Sequence, residues 1–576
     1  MSLEETRCTL LNERGNVENL LILINEIYRK QIKSEDMFLT EALSELHNTG
    51  EIDLLKIFEA VNDTSYKNNP YVIMRVVETT LPSIKAKVED ILPCLTKLTD
   101  LASGHIVYGA FECFCRVDNG RPKDSVDFIL KQTELDSYAP FIYYAIMAYE
   151  SEQIAECIQI VKALIANENE AIRNQAYSVL GRKNITENWA GSVWDIIKSS
   201  AINEHDDSCR ASILRSIVHF GHKFPSYWSH IESLLASFVE GASSNILHAI
   251  SNTIAFQQIS IPDSIQKLLI KQLHTISPEQ SHIISDIDYL LVNLVKKELN
   301  DTAIELLESI LSCGVEFKSL SYFSNQLLGE HTNFNNHIIT KWFLYGGETL
   351  CNNISILLHN IAGRDIELHA DMTLLDNEEK KIFVSRKAIG WLFTRPIAAA
   401  SLILSISESA SKDTIQTLED ILYDPLLLSY PGELKKLFQT CIDKNEHNYI
   451  CKLLLDKLES HNLDILRASG LKELTAPSKN IELYWKNFEK DMQESYEEAS
   501  KNSFFRLIGT PKRLLYGNSS IYYIHQKEGQ PSRQEMQMHS FSHSAEMPTL
   551  NILDPESLDY ALRVFRCERM KNETNS

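Results

Sequence analysis

Asn169-Glu170-Ala171-Ile172-Arg173-Asn174-Gln175-Ala176-Tyr177-Ser178-Val179-Leu180 decides the fold when it is set against Asp206-Asp207-Ser208-Cys209-Arg210-Ala211-Ser212-Ile213-Leu214-Arg215-Ser216-Ile217. An acidic or amide residue, an apolar residue, an arginine, a small or apolar residue and an aliphatic residue recur at an offset of 37. Working outward, small residues mark corresponding places at Ala110, Ala145, Ala176 and Ala249. Their separations run from about 31 to 37 residues, or about double where one place is skipped, as stacked helical repeats require.

The flanking chain carries the period of helices. Val17-Leu20-Leu21-Ile24-Ile27-Tyr28 spaces apolar side chains three and four apart, which puts them on one face. The same spacing returns in Ile154-Cys157-Ile158-Val161-Leu164-Ile165, Ile265-Leu268-Leu269-Leu273, Ile304-Leu307-Leu311 and Ile450-Leu453-Leu454-Leu458. Ser151, Ser277-Pro278 and Asp301-Thr302 offer start signals, with Pro278 expected in a first helical turn. Each such hairpin leaves an apolar face that only a neighbour can bury, so stability comes from stacking.

The acid, x, x, aliphatic, Arg, x, x, Ala pattern resembles the second helix of a HEAT or armadillo repeat, most clearly over residues 100–260. The resemblance implies that Arg173 and Arg210 tie neighbouring repeats and that Ala176 permits close helix packing. The expected fold is therefore all-α: an α-solenoid of stacked helical hairpins over 1–500, followed by a small α+β module over 501–576. An open solenoid presents a broad wall to a large partner rather than a deep polar pocket.

Composition narrows the function. The chain has 576 residues, 44% hydrophobic, with 56 Lys+Arg against 78 Asp+Glu and a formal charge of −22. Such a surface repels phosphate backbones except where a local basic patch overcomes it, and it suits solubility or a basic partner. Gly and Pro are scarce at 20 and 16, which disfavours turn-rich all-β folds. The 11 cysteines lack CxxC pairs or zinc spacing, and a cytoplasmic, reducing location is expected. The first residues lack signal-peptide character. Ala388 to Ser407 is long enough for a membrane span, but Arg395 and Pro396 interrupt it, so two buried helices joined at Thr394-Arg395-Pro396 are expected and no membrane contact.

The last 76 residues differ. They carry 10 basic and 8 acidic residues, leaving −24 on the first 500. Leu514 to Gly517 and Ile521-Tyr522-Tyr523-Ile524 favour strands, Met536 to His543 alternates as a second strand, and Asp554 caps a final helix reaching about Met570. Arg563, Arg566 and Arg569 recur three apart on that helix, with Lys571 beyond, and Arg506, Lys512 and Arg513 precede the strands. They either grip an acidic or phosphate-bearing partner, with Tyr516, Tyr522 and Tyr523 for stacking, or dock the module as a cap.

Other constellations are weaker. Asp365, Glu367, His369 and Asp371 alternate, so an extended strand would align them for a divalent cation, or they form a solvated edge. Asp424-Pro425 with Glu433-Leu434-Lys435 is similar to a nuclease spacing but falls in helix and turn, and His219-x-x-His222 and Cys113-Phe114-Cys115 fall within helices. His539, His543 and Glu546 lack a nucleophile at a useful spacing. The phosphate-loop, zinc-protease, hydrolase and kinase signatures do not occur.

The expectation is a non-enzymatic scaffold or adaptor that binds a protein partner along an acidic solenoid surface, with Arg563, Arg566, Tyr522 and Tyr523 as partner-binding residues. No cofactor, catalytic residue or metal ligand is assigned. The alternative is a nucleic-acid-associated subunit acting through the basic C-terminal module.

Overall fold

The computed structural model describes residues 2–31, 38–61, 70–101, 105–256, 259–330, 332–359, 366–471, 478–501, 519–524, 532–537 and 546–570. The chain is all-α, and its one strand pairing among these residues is a short antiparallel ribbon of Ser519–Ile524 with Ser532–Gln537. It divides into two compact units, Met1–Val315 and Glu316–Ser576.

In the first unit nine helices pack each on the next: Leu3–Asn12, Phe38–Asn48, Pro70–Thr80, His105–Arg116, Leu135–Met147, Glu170–Arg182, Asp207–Lys223, Ser244–Phe256 and Ser281–Lys296. The intervening helices, among them Ile154–Ile165, Glu187–Asn203, Trp228–Phe238 and Asp263–Gln272, form a second layer. The last four starts of the first layer stand 37 residues apart, at Glu170, Asp207, Ser244 and Ser281. Asn169 and Asp206 cap their helices, accepting from Ile172 N at 3.1 Å and Cys209 N at 2.8 Å. Ser277-Pro278 corrects an expectation: it forms a turn, held by Gln280 Oε1 on Ser277 N, and the helix begins at Ser281.

Small residues allow the first-layer helices to approach. Ala110, Ala145, Ala176 and Ala249 are all buried. At Gly181 the approach is closest, for a Cβ there would stand 2.4 Å from the Ser216 carbonyl oxygen. Ser216 Oγ donates to Tyr177 O across the same joint at 2.5 Å.

Arginine ties the joint at its edge. Arg173 Nε donates to Glu204 at 2.9 Å and its Nη1 reaches the carbonyls of Asn167 and Glu168. Arg210, at the matching place, reaches Phe238 O at 2.9 Å and lies over the Phe238 ring. Burial pushes the Glu204 carboxyl up, yet bonds from Arg173, Asp206 N and Tyr177 hydroxyl outweigh it and hold the group below its ordinary range.

The second unit contains Glu378–Leu392 and Pro396–Ser407, two buried helices meeting at Thr394-Arg395-Pro396. No helix among the described residues is long and apolar enough to cross a membrane. The terminal helix Pro555–Cys567, capped by Asp554 on Ser557 N at 3.2 Å, packs against Glu378–Leu392. Glu546 accepts from the Gly432 and Glu433 amides at 2.7 and 2.6 Å, and Thr549 N donates to Ser429 O.

Residues 366–371 run extended between two helices of this unit. Leu368 and Ala370 amides donate to Ser401 and Ser405 hydroxyls at 2.8 and 2.9 Å. His369 and Asp371 amides donate the other way, to Asn336 at 3.3 Å and Thr340 at 2.9 Å. Two residues of strand advance about 6.6 Å and four of helix about 6 Å, so alternate amides match acceptors one helical turn apart.

Glu204→Gln should destabilise the first unit by about 1–3 kcal/mol at neutral pH. Because the folded carboxyl titrates lower than the unfolded one, its contribution is present above the unfolded value near 4 and fades as pH falls through the folded value. Urea melts of both forms should therefore converge in acid; a gap that widens there would contradict this account. Gly181→Ala should cost about 1–3 kcal/mol by overpacking against the Ser216 backbone, read in the same melts.

Candidate functional site

The first-layer helices carry a row of side chains at nearly matching places: Tyr108, Tyr144, Arg182, His219 and Phe256, separated by 36, 38, 37 and 37 residues. Tyr108 and Tyr144 stack with ring centres 5.1 Å apart. Arg182 Nε donates to His219 Nε2 at 3.4 Å. Phe256 leans on Tyr289 of the next helix at 5.2 Å, and both are exposed. A parallel line continues through His248 and His282, whose rings meet edge to face at 4.8 Å. With helix axes about 8–10 Å apart, the row crosses roughly 40 Å of one layer.

Its electrostatics are set by burial. Burial, then the charges of Arg182 and Lys223, push the His219 imidazole down to about 4, so it accepts from Arg182 as a neutral ring. Burial pushes the Lys223 ammonium down to about 8 while it donates to Arg182 O at 2.5 Å and Lys183 O at 3.1 Å. Burial also raises the Tyr144 phenol, and the neighbouring Tyr143 and Tyr108 add to it. Asp286 serves Ser251 at 2.8 Å and lies 3.6 Å from His248. The surface thus offers aromatic rings, guanidinium donors and the neutral His219 imidazole, a set suited to holding a ligand.

Of the residues expected to bind a partner, Arg563 is exposed and pairs with Asp559 at 2.9 Å on its own helix. Arg566 is engaged inside the unit. Its Nε donates to Gly390 O at 2.5 Å, its guanidinium lies 5.5 Å from the Trp391 ring, and Lys387 Nζ donates to its carbonyl at 2.5 Å. A Cβ at Gly390 would come within 3.1 Å of the Arg566 nitrogen, so the glycine makes room for this helix. Arg386 adds a pair to Glu568 at 2.9 Å.

Tyr522 and Tyr523 sit in the first strand, opposite Gln534 and Arg533. The stacking expected of them concerns side chains outside the described residues, as do Arg506, Lys512, Arg513, Tyr516, His539, His543 and the strand expected at Leu514 to Gly517. Of the second strand expected over Met536 to His543, Met536 and Gln537 lie in the strand Ser532–Gln537, and residues 538–543 lie outside the described residues. The register pairs Ser519 with Gln537 and Ser520 with Met536.

Asp365 also lies outside the described residues. Asp371 does not converge with Glu367 and His369. Its carboxylate takes the Thr373 amide and hydroxyl at 2.9 and 2.6 Å and His337 Nδ1 at 2.6 Å. Burial works against that carboxylate, but these donors hold it below its ordinary range. Among the described residues no group of three or more His, Cys, Asp or Glu is placed to hold a metal ion.

Pairwise comparison of 169–180 with 206–217 stops short of the row. Carrying the same offset past Leu180 and Ile217 aligns Arg182 with His219 and then Phe256, which is the signal that reveals it. No family model matches this chain, and no curated protein matches it.

Arg566→Ala should loosen the terminal helix, with amide hydrogen exchange over 555–567 faster by roughly ten-fold for the loss of one charged hydrogen bond. Arg563→Ala should leave that exchange unchanged. Equal effects from the two would show that Arg566 does not anchor the helix.

Proposed function

We propose that Met1–Val315 is an α-solenoid of HEAT-like hairpins and that this protein is a non-enzymatic scaffold or adaptor that holds a protein partner along it. The observation that carries the reading is the row on the first helix layer, where Tyr108, Tyr144, Arg182, His219 and Phe256 recur once per hairpin. Aromatic and arginine side chains are the usual anchors of protein interfaces. A recurring row on a rigid two-layer stack suits an extended partner, which pairs one contact with each hairpin.

In this reading residues 501–576 are a cap rather than the main contact, which the docking of Pro555–Cys567 on Glu378–Leu392 supports. A reducing cytoplasmic location suits the thiols. Seven of the eleven cysteines are buried, and burial pushes those of Cys94 and Cys115 up to about 12, where they act as small hydrophobes.

Photo-crosslinking tests the proposal. A benzophenone amino acid placed at Tyr144 or Phe256 in the full chain should capture the same few proteins in cells. The same probe at Ile202, exposed on a second-layer helix, should not capture them. Capture that is equal from both layers, or that yields nucleic acid in place of protein, would overturn it.

A further inference from the structure

The middle of the row holds two guanidinium groups to which the fold assigns no oxygen acceptor. Arg182 spends its Nε on His219, and Arg215 lies one helical turn before His219 on the same face of Asp207–Lys223. Among the described residues neither arginine forms an ion pair, and Arg215 makes no hydrogen bond. The carboxylates around them are committed elsewhere: Glu112 is bound by Arg116, and Asp286 by Ser251 and His248. Lys223 adds a third cation one turn beyond His219. This concentration of positive charge stands within a unit that carries 27 Lys+Arg against 43 Asp+Glu.

Uncompensated cations that repel one another cost stability unless an anion joins them. Burial pushes the Arg215 guanidinium down, and the charge of Arg182 pushes it further. His219, whose Nε2 accepts from Arg182, is neutral and carries its proton on Nδ1, so it adds no charge of its own.

We propose that Arg182, Arg215 and His219 form an oxyanion site that takes a phosphoryl group on an extended segment of the partner protein. This inference rests on the adaptor reading above. A carboxylate needs only one guanidinium, whereas a phosphoryl dianion is matched by two, each able to bind it in bidentate fashion. The charge is confined to two adjacent helices and gives way to Tyr144 and Tyr108 on one side and His248 and His282 on the other. A nucleic-acid strand, with a phosphate at every nucleotide, needs a continuous cationic track that this acidic unit does not provide. The tyrosines are placed instead to pack against side chains that precede or follow the phosphorylated residue.

Thermal melting of the full chain in inorganic phosphate, against chloride at equal ionic strength, reads the site directly. Phosphate at ten times its dissociation constant should raise the first transition by about 2 °C or more. In Arg182→Gln/Arg215→Gln that rise should vanish, while melting in chloride stays equal to the parent or higher, which shows that the variant folds. A degenerate peptide pool centred on phosphoserine should be retained at least ten-fold over pools centred on serine or glutamate, and the double variant should lose that preference. Absence of a phosphate shift, a shift that survives in the variant, or preferential retention of a single-stranded oligothymidylate would each overturn the proposal. If crosslinking from Tyr144 and Phe256 persists while the phosphate shift is absent, the phosphoryl site alone fails and the adaptor reading stands.

Discussion

Every helix ends in carbonyl oxygens that its own backbone leaves without donors, and helices packed layer on layer repeat that shortfall at each joint. In this chain cations arriving from a neighbouring element supply what is missing. Lys183 donates to Ile146, Met147 and Tyr149 carbonyls at the end of the preceding first-layer helix. Lys223 does the same one hairpin later for Arg182 and Lys183. Arg121 closes on Phe114 O, Arg210 on Phe238 O, and Lys97 on Glu59 O. These bonds join packed helices at their ends, while the alanines and Gly181 let the helices meet between them.

The second unit uses the same device where its sequence has no visible repeat. Lys381 donates to Ser409 O, Lys387 to Arg566 O, and Arg566 to Gly390 O. The terminal helix is thus fastened by the bonds that elsewhere fasten one hairpin to the next. The extended residues 366–371 solve the complementary problem. Among the described residues they have no neighbouring strand, and hydroxyl and amide side chains at four-residue spacing on two helices accept from four successive amides.

The helical class and the buried pair at 378–407 were legible because apolar periodicity and a Pro at a turn are local signals. The 37-residue recurrence was legible for the same reason, being carried by caps, arginine and small residues within one helix. The role of a given basic residue was not. Arg173, Arg182, Arg210 and Arg566 all read as arginines on helices, and only the placement of a carbonyl or carboxylate across a joint separates them. Arg566 points to Gly390, 176 residues away in sequence, and no local pattern carries that information. The extended segment was legible only in part. Alternation of Glu367, Leu368, His369 and Ala370 announces an extended backbone, but not that its amides find side chains on two helices about 33 residues away in sequence.

The distinction between used and unused cations gives the site its meaning. Where the donors of a basic group are filled by carbonyls or a carboxylate, as for Arg173 with Glu204, Asn167 and Glu168, the group belongs to the fold and its removal is felt as lost stability. Arg182 lies on the same helix as Arg173 and Arg215 on the helix packed against it, yet the fold assigns no oxygen to Arg215 and only an imidazole nitrogen to Arg182. Leaving them side by side opposes folding through mutual repulsion, in a chain that carries many carboxylates able to neutralise them. Stability alone would favour such a pairing or a neutral residue. Their position beside a row of aromatic side chains, with no carbonyl or carboxylate oxygen given to either guanidinium, is what makes an external anion the physically consistent partner.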